Sequence, residues 1–486
     1  MNPAEGSAKF ALPRQSGETE AMHGYDFDAV VIGAGSAGYA AARTLAAGGA
    51  RTAVLEGGRE VGGLCILRGC MPTKALLHAA ELREAIRQAA DWGITTGEVA
   101  VDVAKLFSKK DQLIAEFAGY RRQQLEQGKF EFIRSAGQFI DPHTLLLSNG
   151  RRLSALHFVI ATGSSIAPPP VTGLAETGFL TSDEALQLTQ LPKSLIVLGG
   201  GAVAVEFAQF FSRLGTRVTL IQRGPHLLRE ADEEIARELE KALRREGINI
   251  HTDTQLLKAE PCAGGKRVHF SQAGETRGVE AEQIFHGLGR MPNTASLDLP
   301  ASGVTTERLK IVTNLRQQTS APHIYAAGDC CGPHEIVHIA IQQAELAARN
   351  ILNPKVPTEM DYRLLTSVVF TDPAVAQTGL TEREARRCGL NFITASYPFN
   401  DHGKSIILGA REGLVKLIAD PHTGALLGGA CVGPQSGELI HEIVVGLANR
   451  MTAAEFAAVP HYHPTLAEIW TYPAEELAEK VSRQGQ

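Results

Sequence analysis

A strand that runs into a glycine-rich turn and then a helix occurs twice in this chain, and few folds accommodate that pattern. In the first copy, Tyr25-Asp-Phe-Asp-Ala-Val-Val-Ile reads as a buried strand entering Gly33-Ala34-Gly35-Ser36-Ala37-Gly38. A helix pattern follows from Tyr39, then a second strand, Arg51-Thr-Ala-Val-Leu, ending at Glu56. Gly33 makes the tight turn, Gly35 admits a pyrophosphate to the backbone, and Gly38 lets helix and strand pack closely. The helix start at Ser36 and Ala37 faces the phosphates, and Glu56 takes a ribose 2′-hydroxyl.

The second copy runs from Ser194-Leu-Ile-Val-Leu into Gly199-Gly200-Gly201-Ala202-Val203-Ala204-Val205-Glu206. Two such units imply two dinucleotides and electron transfer between them. Here Ala204 replaces the third glycine, and Gln222 stands where the acid is expected. Arg223 follows, and Arg229 lies six residues beyond Arg223. An acid repels a 2′-phosphate whereas arginine pairs with it, so this unit reads as NADPH-preferring, with NADH the alternative.

Between the copies lies Gly62-Gly63-Leu64-Cys65-Ile66-Leu67-Arg68-Gly69-Cys70-Met71-Pro72-Thr73-Lys74. A straight helix would separate Cys65 and Cys70 by about 7.5 Å along its axis and point them apart. Disulfide Cα atoms lie roughly 4.4–6.8 Å apart. If the two cysteines pair, the segment is bent, and Gly69 permits the bend. A strong helix pattern follows from Lys74, with Pro72 in its first turn. Cys70 therefore sits near a helix N-terminus, where a thiolate is favoured.

The length of 486 residues suits about three domains. A formal net charge of −6 gives no reason to expect nucleic acid or an anionic membrane. No apolar run reaches the roughly 20 residues that span a bilayer. The cysteines outside the central segment (Cys262, Cys330, Cys331, Cys388 and Cys431) have no redox spacing, so the chain reads as a cytoplasmic protein with one functional disulfide and no metal site. Cys330-Cys331 reads as small residues beside a cofactor, with metal or thiol traffic as the alternative. Residues 1–24 read as a flexible polar tail without the features of a secretory or transit signal.

Residues 25–167 form the first nucleotide-binding segment, with long helices expected over residues 75–92 and 103–127. Pro168-Pro169-Pro170 marks a boundary to a second segment, residues 168–295. Residues 296–357 contain a strand ending at Asp329 and then a helix. Residues 358–486 show alternating strand patterns, two helices and no phosphate loop. The fold class is α/β: two Rossmann-like domains and a C-terminal α+β domain. His461-Tyr462-His463-Pro464-Thr465-Leu466-Ala467-Glu468 reads either as an oriented general base or as a surface helix cap.

Taken together, these residues resemble the FAD-dependent pyridine nucleotide-disulfide oxidoreductases of the dihydrolipoamide dehydrogenase, glutathione reductase and mercuric reductase type. The resemblance covers about residues 26–482. Its motifs follow the family order: GxGxxG, CxxxxGCxPxK, ATG at Ala161-Thr162-Gly163, the second glycine loop, GRxPN at Gly289, YAxGD ending at Asp329, and HxHPTxxE ending at Glu468. It implies FAD in the first unit, a pyridine nucleotide in the second, and a homodimer formed by the C-terminal domain. Gly33, Gly35, Gly38 and Glu56 would hold the adenosine half of FAD. Gly63, Gly137, Thr162, Gly163 and Ser164 would line the site, with Asp329 on the ribityl chain and the backbone of Val337 and His338 by the pyrimidine ring. Gly199, Gly201, Ala202, Val203 and Gly289 would meet the nucleotide.

The resemblance makes Cys70 the thiol beside the flavin, Cys65 the thiol that meets substrate, and Lys74 with Glu206 an ion pair near them. His463, held by Glu468, would act from the other subunit. The implied substrate is a small disulfide, dithiol or lipoyl group. Dihydrolipoamide dehydrogenases normally carry the acid that Gln222 replaces, which separates this chain from an NAD enzyme. Mercuric reductases usually have Tyr at His463 and a cysteine pair near the C-terminus, and no cysteine follows Cys431. Ser36 and Arg43 fall where glutathione reductases place substrate contacts. NAD-linked dihydrolipoamide oxidation, metal-ion reduction and an E3-like role docking a lipoylated partner are the alternatives.

Overall fold

The computed structural model describes residues 24–484, so the expected tail lies almost wholly outside the described residues. The first glycine fingerprint builds β1 (Phe27–Ile32), α1 (Ser36–Ala47) and β2 (Thr52–Leu55). Val30, Val31, Ala53 and Val54 are fully buried, as expected for central parallel strands covered on both faces. The chain continues through α2 (Gly63–Leu67), α3 (Cys70–Gln88) and α4 (Val103–Glu126). It then forms β3 (Glu131–Ile133), β4 (Gly137–Asp141), β5 (Thr144–Leu147) and β6 (Arg152–Ile160). The sheet order is β3-β2-β1-β6-β5-β4, and the strand Ile324–Ala326 joins it in parallel against β6.

The helix Val337–Leu352 comes back onto α1 across this sheet. Their shared core holds Ala37, Ala40 and Ala41 from one helix and Ala340, Ala344, Ala347 and Ala348 from the other. Alanine keeps the backbones close; a larger side chain there would cost about 1–3 kcal/mol through overpacking. That close approach sets the first glycine loop beside Gly328-Asp329.

The second fingerprint forms a four-stranded parallel sheet, with Ser194–Leu198 between Arg217–Ile221 and Gln283–His286. An antiparallel three-stranded sheet, residues 254–281, rises beside it. The region after residue 358 forms a five-stranded antiparallel sheet. The helices Ser436–Ala448 and Thr471–Gln484 correspond to the two expected there, but Glu382–Arg387, Gly403–Leu408 and Ala453–Ala457 are helical as well. Segments of five or six residues hold too little of the 3.6-residue period to be read from the pattern.

Two charged ties fix this last region against the second nucleotide unit. The Arg213 guanidinium meets Glu246 at 2.6 Å and Asp372 at 2.9 Å. The Lys416 ammonium, 2% exposed, is enclosed by Asp232, Glu234 and Glu382. These ties bring the segment around Phe370 to the edge of the cleft described below. No helix among the described residues is long and apolar enough to cross a membrane.

Candidate functional site

The bend between the cysteines lies where the helix breaks. Cys65 lies within α2 and Cys70 is the first residue of α3. A Cβ on Gly69 would stand 3.0 Å from the Leu64 carbonyl oxygen and 3.2 Å from the Cys65 Cα. Glycine thus lets the break fold back onto Cys65, which a side chain would resist. Cys65 and Cys70 are not bonded to one another in this structure.

The two sulfurs differ in charge preference. The hydrogen bond from Cys65 lowers the Cys70 pKa, burial opposes it, and the Lys74 ammonium lowers it further, down to about 7. The same hydrogen bond pushes the Cys65 thiol up, and burial adds to the rise. A thiolate is therefore favoured on Cys70 over Cys65. One turn along α3, Lys74 Nζ lies 2.8 Å from Glu206 Oε2 and 3.0 Å from Oε1. Glu206, 2% exposed, also accepts the Phe370 N–H at 2.9 Å, and the Phe370 ring lies 4.5 Å from Nζ.

These groups open onto a cleft of about 490 Å³ between the two nucleotide units. From the first unit its walls include Gly35, Ser36, Ala37, Cys65, Cys70, Lys74 and Gly163; Gly201, Ala202, Val203, Glu206 and Gly289 come from the second, and Asp329 and Val337 from residues 296–357. Ser164 Oγ donates to Asp329 Oδ2 at 2.6 Å and accepts from Arg290 Nε at 2.8 Å. Arg290, within the GRxPN motif, thereby holds the wall in place. No local pattern assigns these contacts to Arg290, although it lies in the GRxPN motif, or to Phe370 and His286, because each joins distant segments.

The remaining predicted residues stand behind the walls. A Cβ on Gly38 would lie 1.8 Å from the Gly33 carbonyl oxygen, so only glycine closes that turn. Gly63 packs on Gly35, where a Cβ would stand 2.6 Å from the Gly35 Cα. Glu56 accepts backbone N–H groups from Ala34 at 3.2 Å and Gly58 at 2.7 Å, which holds its carboxylate at the loop. Thr162 Oγ1 is buried with no hydrogen-bond partner among the described residues. His338 is exposed beside Val337, off the cleft wall. Gly199 takes φ +105° in the second loop, matching +104° at Gly33. Ala204 is tolerated because Gly287 opposite it lacks a side chain: a Cβ there would stand 3.0 Å from the Ala204 methyl.

Gly137 lies in β4 against Leu147 and Leu55, outside the cleft lining like Glu56, and its neighbour Ala136 packs on Gly57, next to Glu56. Arg43 pairs with Glu345. Cys330 and Cys331 direct their sulfurs at backbone carbonyls, Cys330 to Ile160 at 3.4 Å and Cys331 to Gly328 at 3.3 Å, as packed thiols beside Asp329. No group of three or more metal-ligating side chains occurs among the described residues.

In the second loop Gln222 lies against Gly200, and its amide donates to the His226 carbonyl at 3.3 Å. Arg223 and Arg229 are both exposed, and Arg229 stands 3.6 Å from Glu230. Away from its own chain's cleft, His463 Nδ1 donates to Glu468 Oε1 at 2.9 Å. This fixes the tautomer and leaves the Nε2 lone pair free on a side chain that is 75% exposed. Burial raises the Glu468 carboxyl pKa, but hydrogen bonds from His463 and the Thr465 N–H outweigh it and the net shift is downward.

The residues present fit a flavin dinucleotide: a glycine cradle without room for side chains, an unpartnered buried hydroxyl at Thr162, and a largely apolar cleft. Comparison with known proteins agrees. Residues 27–344 match the pyridine nucleotide-disulphide oxidoreductase family, and residues 365–474 match the dimerisation domain of the same family, which supports a homodimer. A dihydrolipoyl dehydrogenase of Thermus scotoductus is 37% identical over 94% of this chain and 98% of its own length. A mercuric reductase of Staphylococcus aureus is 33% identical over 94% of this chain and 84% of its own. The HOCl-induced flavoprotein disulfide reductase RclA of Escherichia coli has a similar structure, with a TM-score of 0.81 at 26% identity over 92% of this chain and 99% of that one. This chain belongs to the pyridine nucleotide-disulphide oxidoreductases and is an FAD-dependent oxidoreductase that acts on sulfur groups with NAD(P).

Proposed function

We propose that this enzyme works chiefly in the reducing direction, taking electrons from NADPH and delivering them through Cys65 and Cys70 to a small disulfide or lipoyl-type group. The observation that carries this reading is the placing of Cys65 and Cys70 at the break between α2 and α3, opening with the Lys74–Glu206 pair onto the cleft between the two nucleotide units. Bound FAD supplies the two-electron relay between nucleotide and dithiol. In this reading Gly33, Gly35, Gly38, Glu56, Thr162, Gly163 and Asp329 hold the flavin nucleotide. Gly199, Gly201, Ala202, Val203 and Gly289 receive the pyridine nucleotide. Residues 25–167 and 296–357 act together as the flavin unit, residues 168–295 as the nucleotide unit and residues 358–486 as the dimerisation unit.

Lys74 holds the Cys70 sulfur as a thiolate, and Glu206 holds Lys74. Cys65, being protonated, needs a base before it can attack. The partner subunit's His463, oriented by Glu468, takes that proton. Cys65 then attacks one substrate sulfur; a Cys65–substrate disulfide forms, the substrate S–S bond breaks, and the leaving thiolate takes the proton back from the imidazolium. Cys70 attacks the Cys65 sulfur, expels the second thiolate and closes the Cys65–Cys70 bond. A hydride equivalent from the nucleotide, two electrons and one proton, reopens it to the Cys65 thiol and the Cys70 thiolate.

The NADPH preference rests on the neutral Gln222 and on the exposed Arg223 and Arg229, which suit a 2′-phosphate. Lipoamide oxidation with NAD is the second reading, favoured by the dihydrolipoyl dehydrogenase relatives. Anaerobic titration with NADPH and, separately, NADH decides between them: rapid growth of the long-wavelength thiolate–flavin band with NADPH alone supports the first, and an equal or better response to NADH supports the second. Cys65→Ser is expected to abolish disulfide turnover and spare transfer to artificial acceptors; surviving disulfide turnover would sink the thiol assignment.

A further inference from the structure

The loop that carries Arg223 and Arg229 is pinned from two directions. Leu228 takes φ +46°, left-handed backbone that disfavours a side chain. Its N–H donates to the Gly200 carbonyl at 2.8 Å, which sets Arg229 beside the second glycine loop. The Leu227 N–H donates to the buried Glu240 carboxylate at 2.6 Å. The other pins come from the helix Glu382–Arg387, in the region after residue 358. Arg383 Nη1 donates to the Arg229 carbonyl at 2.5 Å, and Arg383 Nη2 donates to Glu230 Oε2 at 2.8 Å. The Glu382 N–H donates to Asp232 Oδ1 at 3.0 Å. Glu230 therefore stands between two arginines but is held by one. It is hydrogen-bonded to Arg383, while Arg229 Nε lies 3.6 Å from its other oxygen, beyond hydrogen-bond reach. Arg229 is 71% exposed, so its guanidinium stays open to an anion from outside the chain.

We infer that Arg383, from the C-terminal unit, is a positioning residue for coenzyme choice: it occupies the Glu230 carboxylate, pins the Arg229 carbonyl, and so leaves the Arg229 guanidinium free for a 2′-phosphate. This rests on the reading of Arg229 as a contact of that phosphate. Without Arg383 the Glu230 carboxylate turns to Arg229, where it occupies the guanidinium and repels the phosphate. NADH carries no 2′-phosphate and is indifferent to the exchange. Arg383, Arg229 and Glu230 are each half or more exposed, so the effect is that of a surface ion pair.

The test uses the FAD-loaded enzyme with ferricyanide as acceptor, which bypasses the thiols. The readout is the ratio of kcat/KM for NADPH to that for NADH. Arg383→Met is expected to lower this ratio by about two- to fivefold, the range of an exposed ion pair, through KM for NADPH. The Asp232 ties to Glu382 and Lys416 remain in that variant and keep the helix docked. Arg383→Lys, which keeps the charge beside Glu230, is expected to recover part of the loss. Adding Glu230→Gln to Arg383→Met is expected to recover most of it, because the competing carboxylate is gone. Glu230→Gln alone is expected to hold or raise the ratio, which tests the inference even if Arg383→Met folds poorly. Arg229→Gln is expected to lower the ratio and to leave Arg383→Met without further effect. If Arg229→Gln lowers the ratio but Arg383→Met leaves it unchanged, or weakens both coenzymes equally, the inference is overturned and the phosphate reading stands. A fall in the ratio for Glu230→Gln alone would overturn it too. If Arg229→Gln leaves the ratio unchanged, the phosphate reading itself fails, and this inference with it.

Discussion

Lys74 and Glu206 form a bidentate ion pair across the cleft, with Nζ 2.8 and 3.0 Å from the two carboxylate oxygens, and so join the cysteine-bearing helix to the second nucleotide-binding unit. Glu206 is almost fully buried and its second tie is the Phe370 N–H, so one carboxylate links three stretches of chain. Because removing one partner of a buried pair strands the other, Lys74→Met is expected to destabilise by about 3–5 kcal/mol. Lys74→Met/Glu206→Leu should be milder than Lys74→Met alone. Thermal unfolding of the FAD-loaded variants checks this, and a double variant no more stable than Lys74→Met would contradict it.

The Cys70 pKa of about 7 sets a pH profile for the reduced enzyme. The thiolate is the form lost as pH falls, so the thiolate–flavin band should be half-developed near neutrality, grow toward alkaline pH and fade toward acid. The groups that act on Cys70 are Cys65, Lys74 and Glu206. Removing the ammonium in Lys74→Met should move the midpoint up by about one pH unit or more. Anaerobic spectra across pH read both midpoints directly.

Gln222 and Arg223 give a prediction about the nucleotide. Gln222→Glu puts a negative charge beside the loop at Gly200. The ratio of kcat/KM for NADPH to that for NADH should fall by about tenfold or more, since a neutral amide is replaced by a carboxylate that repels a 2′-phosphate. Arg223→Ala should raise KM for NADPH with little effect on NADH. Steady-state kinetics with an artificial acceptor isolates this step from the thiols.

The Glu468 carboxylate holds the His463 tautomer that leaves Nε2 free. Glu468→Gln is expected to slow disulfide turnover by about 100-fold, within the usual range for general acid–base catalysis. Reduction of the flavin by NADPH should continue at its former rate, because the imidazole acts only after the dithiol is formed. Stopped-flow measurement of the two half-reactions separates these outcomes.

Much of the architecture could be read directly from the sequence. The two glycine fingerprints sit in short contiguous stretches, and local rules of turn geometry, helix start and strand burial fix what each stretch does. The helix start at Cys70 and the turn at Gly69 are legible for the same reason. The short helices after residue 358 were missed because they are too brief to show a period.

The sequence by itself determined that two dinucleotide units flank a cysteine pair and that the second unit lacks its acid, because each of those facts is carried by residues adjacent in the chain. Only the tertiary structure decided that Glu206 reaches Lys74 and Phe370, that Arg290 braces Ser164 and Asp329, and that Arg121 stacks on Tyr39. Such contacts join residues up to 165 positions apart, as at Ser164 and Asp329. They depend on how the packed alanine helices and the buried ion pairs set one unit against another, which no local pattern encodes.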